Sequence, residues 1–315
     1  MLPILNVTTP FFALVLSGYL ASRFRLLPGN AVPALNAFVL YFALPCMLFR
    51  FASGVPFGRI VNPPVFLAYL LIGLATLGLA AAAAYWGAGE PIREAAFAAI
   101  AAEWSNWGYM GIPLIPALLG QAALGPLIAA GMADLLVTVS AGLALASLGA
   151  ERRGGAPAAL ATASRYVAGN PLLWSVVAGV GCSALGLRLP GPLDQFALLL
   201  GQAAGPVALF TIGVSLYRPA ATVWTRDVLA ISGAKLFLHP AIAGAVAVWL
   251  FPLSRLEVHT LILAAALPVG GTTFLFAEQQ GANAERIAAA ILVSTALAFV
   301  TFSSLCWALG IRLPG

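Results

Sequence analysis

Ten apolar stretches follow one another along this chain, and polar or charged residues fall mainly where one stretch gives way to the next. About 20 apolar residues cross the hydrocarbon core of a bilayer, so the pattern points to a protein that threads a membrane repeatedly. The composition agrees. Soluble domains carry about a quarter charged residues; here 8% are charged and 62% are hydrophobic. The expected spans are 4–22, 33–52, 64–86, 94–119, 124–148, 169–187, 193–217, 227–250, 257–280 and 285–309. They leave no room for a soluble domain. No Lys or Arg precedes the first apolar run, which leads straight into the others, so a cleaved signal peptide is not expected.

Two spans are interrupted. SNWGYMGIPLIP (residues 105–116) and LPVGGTTFLF (residues 267–276) put Gly, Pro, hydroxyl and amide groups where an unbroken helix should run. Irregular backbone at membrane depth is tolerated only when buried in protein or lining a cavity. Paired interruptions in the two halves of a chain point to the binding site of a secondary transporter. Ordinary Pro-kinked helices are the plain alternative for either span alone. Their occurrence at matching positions favours the functional reading.

The halves can be aligned. At an offset of 161 residues Pro10 meets Pro171, Pro45 meets Pro206 and Pro91 meets Pro252. Gly18 meets Gly179, Gly120 meets Gly281, Leu48-Phe49 meets Leu209-Phe210, and Trp107 falls on Pro268 within the second break. The expected organisation is a first five-helix repeat at 1–150, a cytoplasmic connection at 151–168 and a second repeat at 169–315. An odd number of spans per half turns the second repeat upside down. With the N-terminus outside, cytoplasmic loops hold nine basic residues (Arg23, Arg25, Arg93, Arg152, Arg153, Arg165, Arg218, Arg226, Arg286) against five opposite (Arg50, Arg59, Arg188, Arg255, Arg312). That excess follows the positive-inside rule and puts both termini outside the cytoplasm. The scatter of these charges over span ends does not suit nucleic-acid binding.

Four segments together resemble the auxin efflux carrier family of membrane transporters, in its bacterial branch. They are LNAFVLYFALPCMLFRFA (35–52), SNWGYMGIPLIPALLG (105–120), AKLFLHPAI (234–242) and LPVGGTTFLFAEQQGANAERIAAAILVSTAL (267–297). The resemblance extends over the whole chain. It implies an all-α fold of ten transmembrane helices in two inverted five-helix repeats, with broken helices 4 and 9 crossing near the bilayer centre. It also implies transport of an organic anion across the cell (inner) membrane: auxin in plant members, dicarboxylates such as malonate or malate in bacterial ones.

The residues expected to bind substrate are Asn106, Trp107, Gly108 and Gly111 on the fourth span, and Gly270, Gly271, Thr272 and Thr273 on the ninth. Helix N-termini present unpaired N–H groups and a positive dipole end, which suit an anion. The Asn106 amide offers two donors and an acceptor; capping the broken helix is its structural alternative. Pro113, Pro268, Pro45 and Pro206 are expected at the crossover or as hinges. Glu103, Asp134 and Lys235 are the ionisable residues placed well inside spans, where a charge costs about 2.5–3.5 kcal/mol at the helix centre. They are candidates for ion coupling or charge compensation. Glu103, three residues before Asn106, is expected on the same helical face; Asp134 is expected to hold a cation or to pair with Lys235.

His239 and His259 stand in no metal-spaced cluster and read as packing residues. Cys46, Cys182 and Cys306 are far apart in apolar spans and form neither a disulfide framework nor a metal site. Trp86, Trp174, Trp224 and Trp249 lie near span ends and suit an aromatic belt, whereas Trp104 and Trp107 flank Asn106 and are candidate cavity walls.

The expected function is a secondary carrier of a small organic anion, not an enzyme. HExxH, GxSG and GxGD motifs are all absent. An anion channel and a non-transporting receptor are the alternatives, though no charged ring and no long loop supports either. No cofactor or metal is expected; coupling to H⁺ or Na⁺, and a homodimer, are left open. The expected partners are the anion and the lipid bilayer.

Overall fold

The structure is a computed structural model, and it describes residues 2–28, 31–56, 62–148, 168–169, 171–216 and 225–311. The connection expected at 151–168 lies almost wholly outside the described residues, as do Arg59, Arg152, Arg153, Arg165, Arg218, Arg312 and Trp224.

Twelve helices account for the named elements: α1 (Leu2–Arg23), α2 (Ala31–Gly54), α3 (Pro63–Gly87), α4 (Ile92–Glu103), α5 (Trp107–Leu119), α6 (Gln121–Leu148), α7 (Pro171–Ala184), α8 (Gly191–Leu216), α9 (Arg226–Trp249), α10 (Arg255–Ala265), α11 (Thr272–Gln279) and α12 (Ala284–Ala308). No sheet forms among the described residues. Six helices are long and apolar enough to cross a membrane: α2, α3, α6, α9, α12 and most of α8. Leu79, Trp86, Phe237, Trp249 and Val300 project outward from these helices. Lipid contact explains such apolar surface in a chain of this hydropathy.

Proline sets much of the local geometry. Lacking an N–H and clashing with the carbonyl four residues back, it cannot continue a regular helix unaltered. In α2, α5 and α9 the turn ahead of a proline widens into a π-helical segment: Val39–Ala43 before Pro45, Trp107–Gly111 before Pro113, and Ala234–Leu238 before Pro240. Two further π segments have no such proline: Ala83–Gly87 at the end of α3, and Asp134–Thr138 in α6, which begins at a buried carboxyl. Single π turns recur at functional sites. Pro206, by contrast, is absorbed within α8 without interrupting it.

The helices pack in two groups. α1 lies along α8, α7 lies along the second half of α2, and α2 joins α8. In the other group α3 packs on α4, α6 and α9, α4 on α6, α9 on α10, and α12 on α9 and α11. Close approach in the first group depends on glycine. A Cβ on Gly18 would stand 1.9 Å from the Phe210 carbonyl oxygen, and one on Gly179 would stand 2.6 Å from that of Phe49. These are the residues that the 161-residue offset pairs: Gly18 with Gly179, and Phe49 with Phe210. The contact between one half and the other is therefore made twice, with the roles of the halves exchanged.

Polar ties join the helix ends. Arg50 at the end of α2 bonds the Asp194 carboxylate and donates to the Asp194 carbonyl at 2.6 Å. Asn62, ahead of α3, donates to Glu257 of α10 at 2.6 Å. Arg286 at the start of α12 reaches Glu90 at 2.7 Å and the Glu94 carbonyl at 2.8 Å.

Candidate functional site

Helix α4 stops at Glu103 because Trp104 turns extended (φ −61°, ψ 107°), and α10 stops at Ala265, six residues short of α11. The two non-helical stretches meet. The Asn106 N–H donates to the Pro268 carbonyl and the Gly270 N–H to the Trp104 carbonyl, both at 2.9 Å, around an antiparallel bridge between Ser105 and Val269. Backbone groups freed by the two breaks thus satisfy each other, which a single broken helix at membrane depth could not do. The pairing revises the register expected from the sequence. At the bridge Ser105 stands opposite Val269, an offset of 164, where the alignment of the halves used 161 and put Trp107 on Pro268. The difference is absorbed in the shorter α11, after which Gly120 and Gly281 both adopt positive φ.

A cavity of about 350 Å³ opens beside the bridge. That volume lies in the range of small-molecule sites, about 300–1,000 Å³. Asn106, Trp107, Gly108, Gly270, Gly271 and Thr272 all line it, together with Trp104, Ser105 and Tyr109. Tyr41 of α2 and Pro171 and Leu172 of α7 close it from the other packing group. Two residues expected to line the site do not. Gly111 faces Leu267, whose Cδ1 would lie 2.8 Å from a Cβ there. Thr273 is fully buried behind the wall, with no hydrogen-bond partner for its hydroxyl. For Thr273 this follows from helical rotation, because the residue after a lining residue points elsewhere.

Asn106 occupies the N-cap position of α5, yet its side chain makes no capping bond. Its Nδ2 is buried without a hydrogen-bond partner at the cavity wall. The first-turn N–H groups of Trp107, Gly108 and Tyr109 precede the first helical acceptor contact, since Met110 and Gly111 already use the Asn106 carbonyl. Pro268 lends its carbonyl to the bridge, and Pro113 packs towards Gly205 of α8.

Gly270 is dictated by the crossing. A Cβ there would lie 2.1 Å from Trp104 Cδ1, whereas one on Gly271 meets nothing within 4 Å. Gly270→Ala is expected to cost about 1–3 kcal/mol through overpacking and to change Trp104 fluorescence, while Gly271→Ala leaves thermal unfolding close to native. Equal unfolding temperatures for the two variants would contradict the close crossing.

Behind the bridge, away from the cavity, lies a buried polar cluster. Lys235 Nζ donates to the Glu103 carbonyl at 2.8 Å and to Ser105 Oγ at 2.5 Å, and lies 2.8 Å from His239 Nδ1. These three partners saturate the ammonium. Among the described ion pairs none involves Lys235. Asp134 and Glu103 are neighbours in this cluster, and neither carboxylate forms an ion pair with Lys235. No described donor reaches any of their four carboxyl oxygens. Tyr69 of α3 stands with its ring 6.1 Å from that of His239 and its buried hydroxyl without a hydrogen-bond partner, and Thr138 Oγ1 and Glu103 Oε1 both crowd Gly73. Glu103 therefore does not share a face with Asn106. The helix unwinds between them, so Asn106 turns to the cavity and Glu103 to the cluster.

Sequence reasoning placed His239 among packing residues and passed over Ser105, Tyr69 and Thr138. The four-residue spacing of Lys235 and His239 was a usable signal, since it puts both on one helix face. His259 lies apart, beside Arg255 and Leu119. Trp86, Trp174 and Trp249 are exposed at helix ends, while Trp104 and Trp107 are buried. Cys46 and Cys182 are half-buried and Cys306 buried, all unpaired.

The signature of a family described as "Membrane transport protein" matches residues 3–150 and 160–306. A protein of Rhizobium meliloti (strain 1021) named "Putative malonate transporter" is 31% identical over 311 residues, which cover 98% of this chain and 96% of that protein. An "Uncharacterized transporter" of Methanothermobacter thermautotrophicus is 23% identical over 299 residues, 91% of this chain and 92% of that one. This is a family of membrane transporters, not of enzymes. The protein belongs to it: a multi-pass member of the auxin efflux carrier family that its four motifs resemble.

Proposed function

We propose that the protein is a secondary carrier that moves a small organic anion, a dicarboxylate such as malonate or malate, across the cytoplasmic membrane by alternating access. The observation that carries this reading is the unpartnered Asn106 amide, buried at the wall of a cavity where two broken helices meet. One substrate carboxylate accepts from Asn106 Nδ2 and the first-turn N–H groups of α5. The other lies towards Gly271 and Thr272 at the start of α11. Trp104 and Trp107 wall the site, and the helix dipoles supply positive potential without a mobile counter-charge. The name of the Rhizobium relative supports a dicarboxylate.

In this reading α4–α5 and α10–α11 are two broken spans. With the eight other helices they make ten spans in two inverted repeats. The exchanged contacts Gly18–Phe210 and Gly179–Phe49 support that symmetry. The group α1, α2, α7 and α8 serves as scaffold, and the group carrying the crossing moves against it. With the N-terminus outside, the cavity's α7 side, at Pro171, faces the cytoplasm, so this conformation is inward-open.

Counterflow in proteoliposomes tests the reading. Vesicles preloaded with malonate are expected to take up labelled malonate transiently and saturably, with malate competing. If malonate, malate and related short acids all fail to move, the reading is wrong. Flux that neither saturates nor shows counterflow would favour a channel.

A further inference from the structure

Two buried carboxyl groups face each other across the second polar site of this molecule, and no donor from the rest of the described chain reaches them. Glu103 ends α4 and Asp134 opens the π turn of α6; both are fully buried. Ionised carboxylates only accept, and none of the four buried oxygens has a donor, so holding both groups as anions is costly and one of them carries a proton. The geometry points to a proton site: we propose that the Glu103–Asp134 pair carries the proton that drives transport, so that the carrier is a proton–anion symporter. This rests on the carrier reading above and names its coupling ion.

The surroundings of the pair fit that role from every packed element. α3 supplies the Tyr69 hydroxyl, α6 the Thr138 hydroxyl next to Asp134, and α9 the Lys235 ammonium and the His239 ring. α12 presents the Ser294, Thr295 and Ser303 hydroxyls to the interior, its Glu285 and Arg286 lying in its first turn. On α10, His259 stands apart, beside Leu119, Arg255, Gly310 and Ile311. With one shared proton the cluster holds one carboxylate, one neutral carboxyl and one ammonium, and is electrically balanced. Without it two carboxylates face one ammonium in a site closed to water. A bare negative charge there is costly, so the proton leaves only when movement opens the cluster to water.

The cluster is also wired to the substrate site. Lys235 holds the carbonyl of Glu103 itself and the hydroxyl of Ser105, and Ser105 lines the cavity. The Tyr69 ring stands 6.1 Å from that of His239, the third partner of the ammonium. A proton entering from the cavity passes Ser105 to reach the carboxyl pair, and leaves the same way when the cavity faces the other side. Loss of the proton draws the ammonium towards the carboxylates and away from the crossing backbone. Protonation and anion binding therefore act on the same few atoms of the crossing. No group in the cluster is oxidised or reduced; one proton is taken up on one side of the membrane and released on the other.

The test uses full-length protein in proteoliposomes with pyranine inside and the potential clamped at zero by valinomycin and equal K⁺. For the native protein, malonate entry is expected to acidify the lumen. A gradient of one pH unit is expected to support about tenfold accumulation for one proton per anion. In Asp134→Asn and Glu103→Gln the ratio of protons to malonate is expected to fall towards zero. Infrared spectra of the purified protein are expected to show a protonated-carboxyl band that is lost in either variant.

Malonate counterflow without lumenal acidification, or accumulation driven by Na⁺ irrespective of pH, would overturn the coupling and leave the carrier reading intact. Absence of counterflow in the native protein would overturn both. A native proton ratio preserved in both variants would overturn the assignment to this pair, and should both variants fail to fold, lumenal acidification by the native protein and its carboxyl band still decide the matter.

Discussion

Lys235→Met is expected to destabilise the protein by about 3–5 kcal/mol, the typical cost of removing one partner from a buried charged network, and to abolish malonate counterflow. The substitution removes three hydrogen bonds at once. It leaves the Glu103 carbonyl, Ser105 Oγ and His239 Nδ1 without their common donor. Each such buried orphan costs about 1–3 kcal/mol, and the carboxyl pair loses the only lysine in the chain. Lys235→Arg should not restore the native state. A planar guanidinium cannot converge on three acceptors arranged around one nitrogen. Thermal unfolding of purified protein reads the first effect. An unfolding temperature within a few degrees of native for Lys235→Met would show that the crossing does not hang on this side chain.

Asn106→Ala is expected to act on function rather than stability. The side chain caps nothing and bonds nothing in the protein, while the crossing bond comes from the Asn106 backbone N–H, which alanine keeps. A hydrogen bond to a charged group contributes about 1.5–3 kcal/mol, so apparent malonate affinity should fall about 10- to 150-fold. Asn106→Asp should be worse, since it sets a carboxylate against the substrate's own. Saturation curves for counterflow, with thermal unfolding alongside, separate this from misfolding. Unchanged affinity in Asn106→Ala would remove the residue from the site.

Much of this was legible in the sequence because membrane depth leaves the backbone few options. Gly, Pro and amide residues inside an apolar run have to mark a place where backbone polar groups find another partner, and both breaks were found on that ground. The offset between halves also paired the residues that make the close approaches, Gly18 with Gly179 and Phe49 with Phe210, though not the approaches themselves. Four things were hidden.

Register at the crossing differs by three residues because α11 is shorter than α5, and a single offset cannot carry a length difference. The facing of Glu103 was misjudged because helical spacing was continued through Trp104, where the helix has already ended. The partnership of Lys235, His239, Ser105 and Tyr69 joins helices far apart in sequence, so only the His239 spacing hinted at it. The exclusion of Thr273 from the cavity turns on side-chain direction within one helical turn, which composition does not record.

The central claim is that the cavity at the crossing is reached from one side of the membrane at a time and holds the substrate. Thr272 lines that cavity from α11, which makes its accessibility the most direct measure. Thr272→Cys, in a chain whose Cys46, Cys182 and Cys306 are replaced by alanine, can be labelled with a membrane-impermeant thiol reagent in vesicles of either orientation. At rest the thiol is expected to react from the cytoplasmic face only, and malonate should slow that labelling. During turnover it should become reachable from the other face. Labelling from both faces at once, or labelling indifferent to malonate and every related acid, would contradict the account.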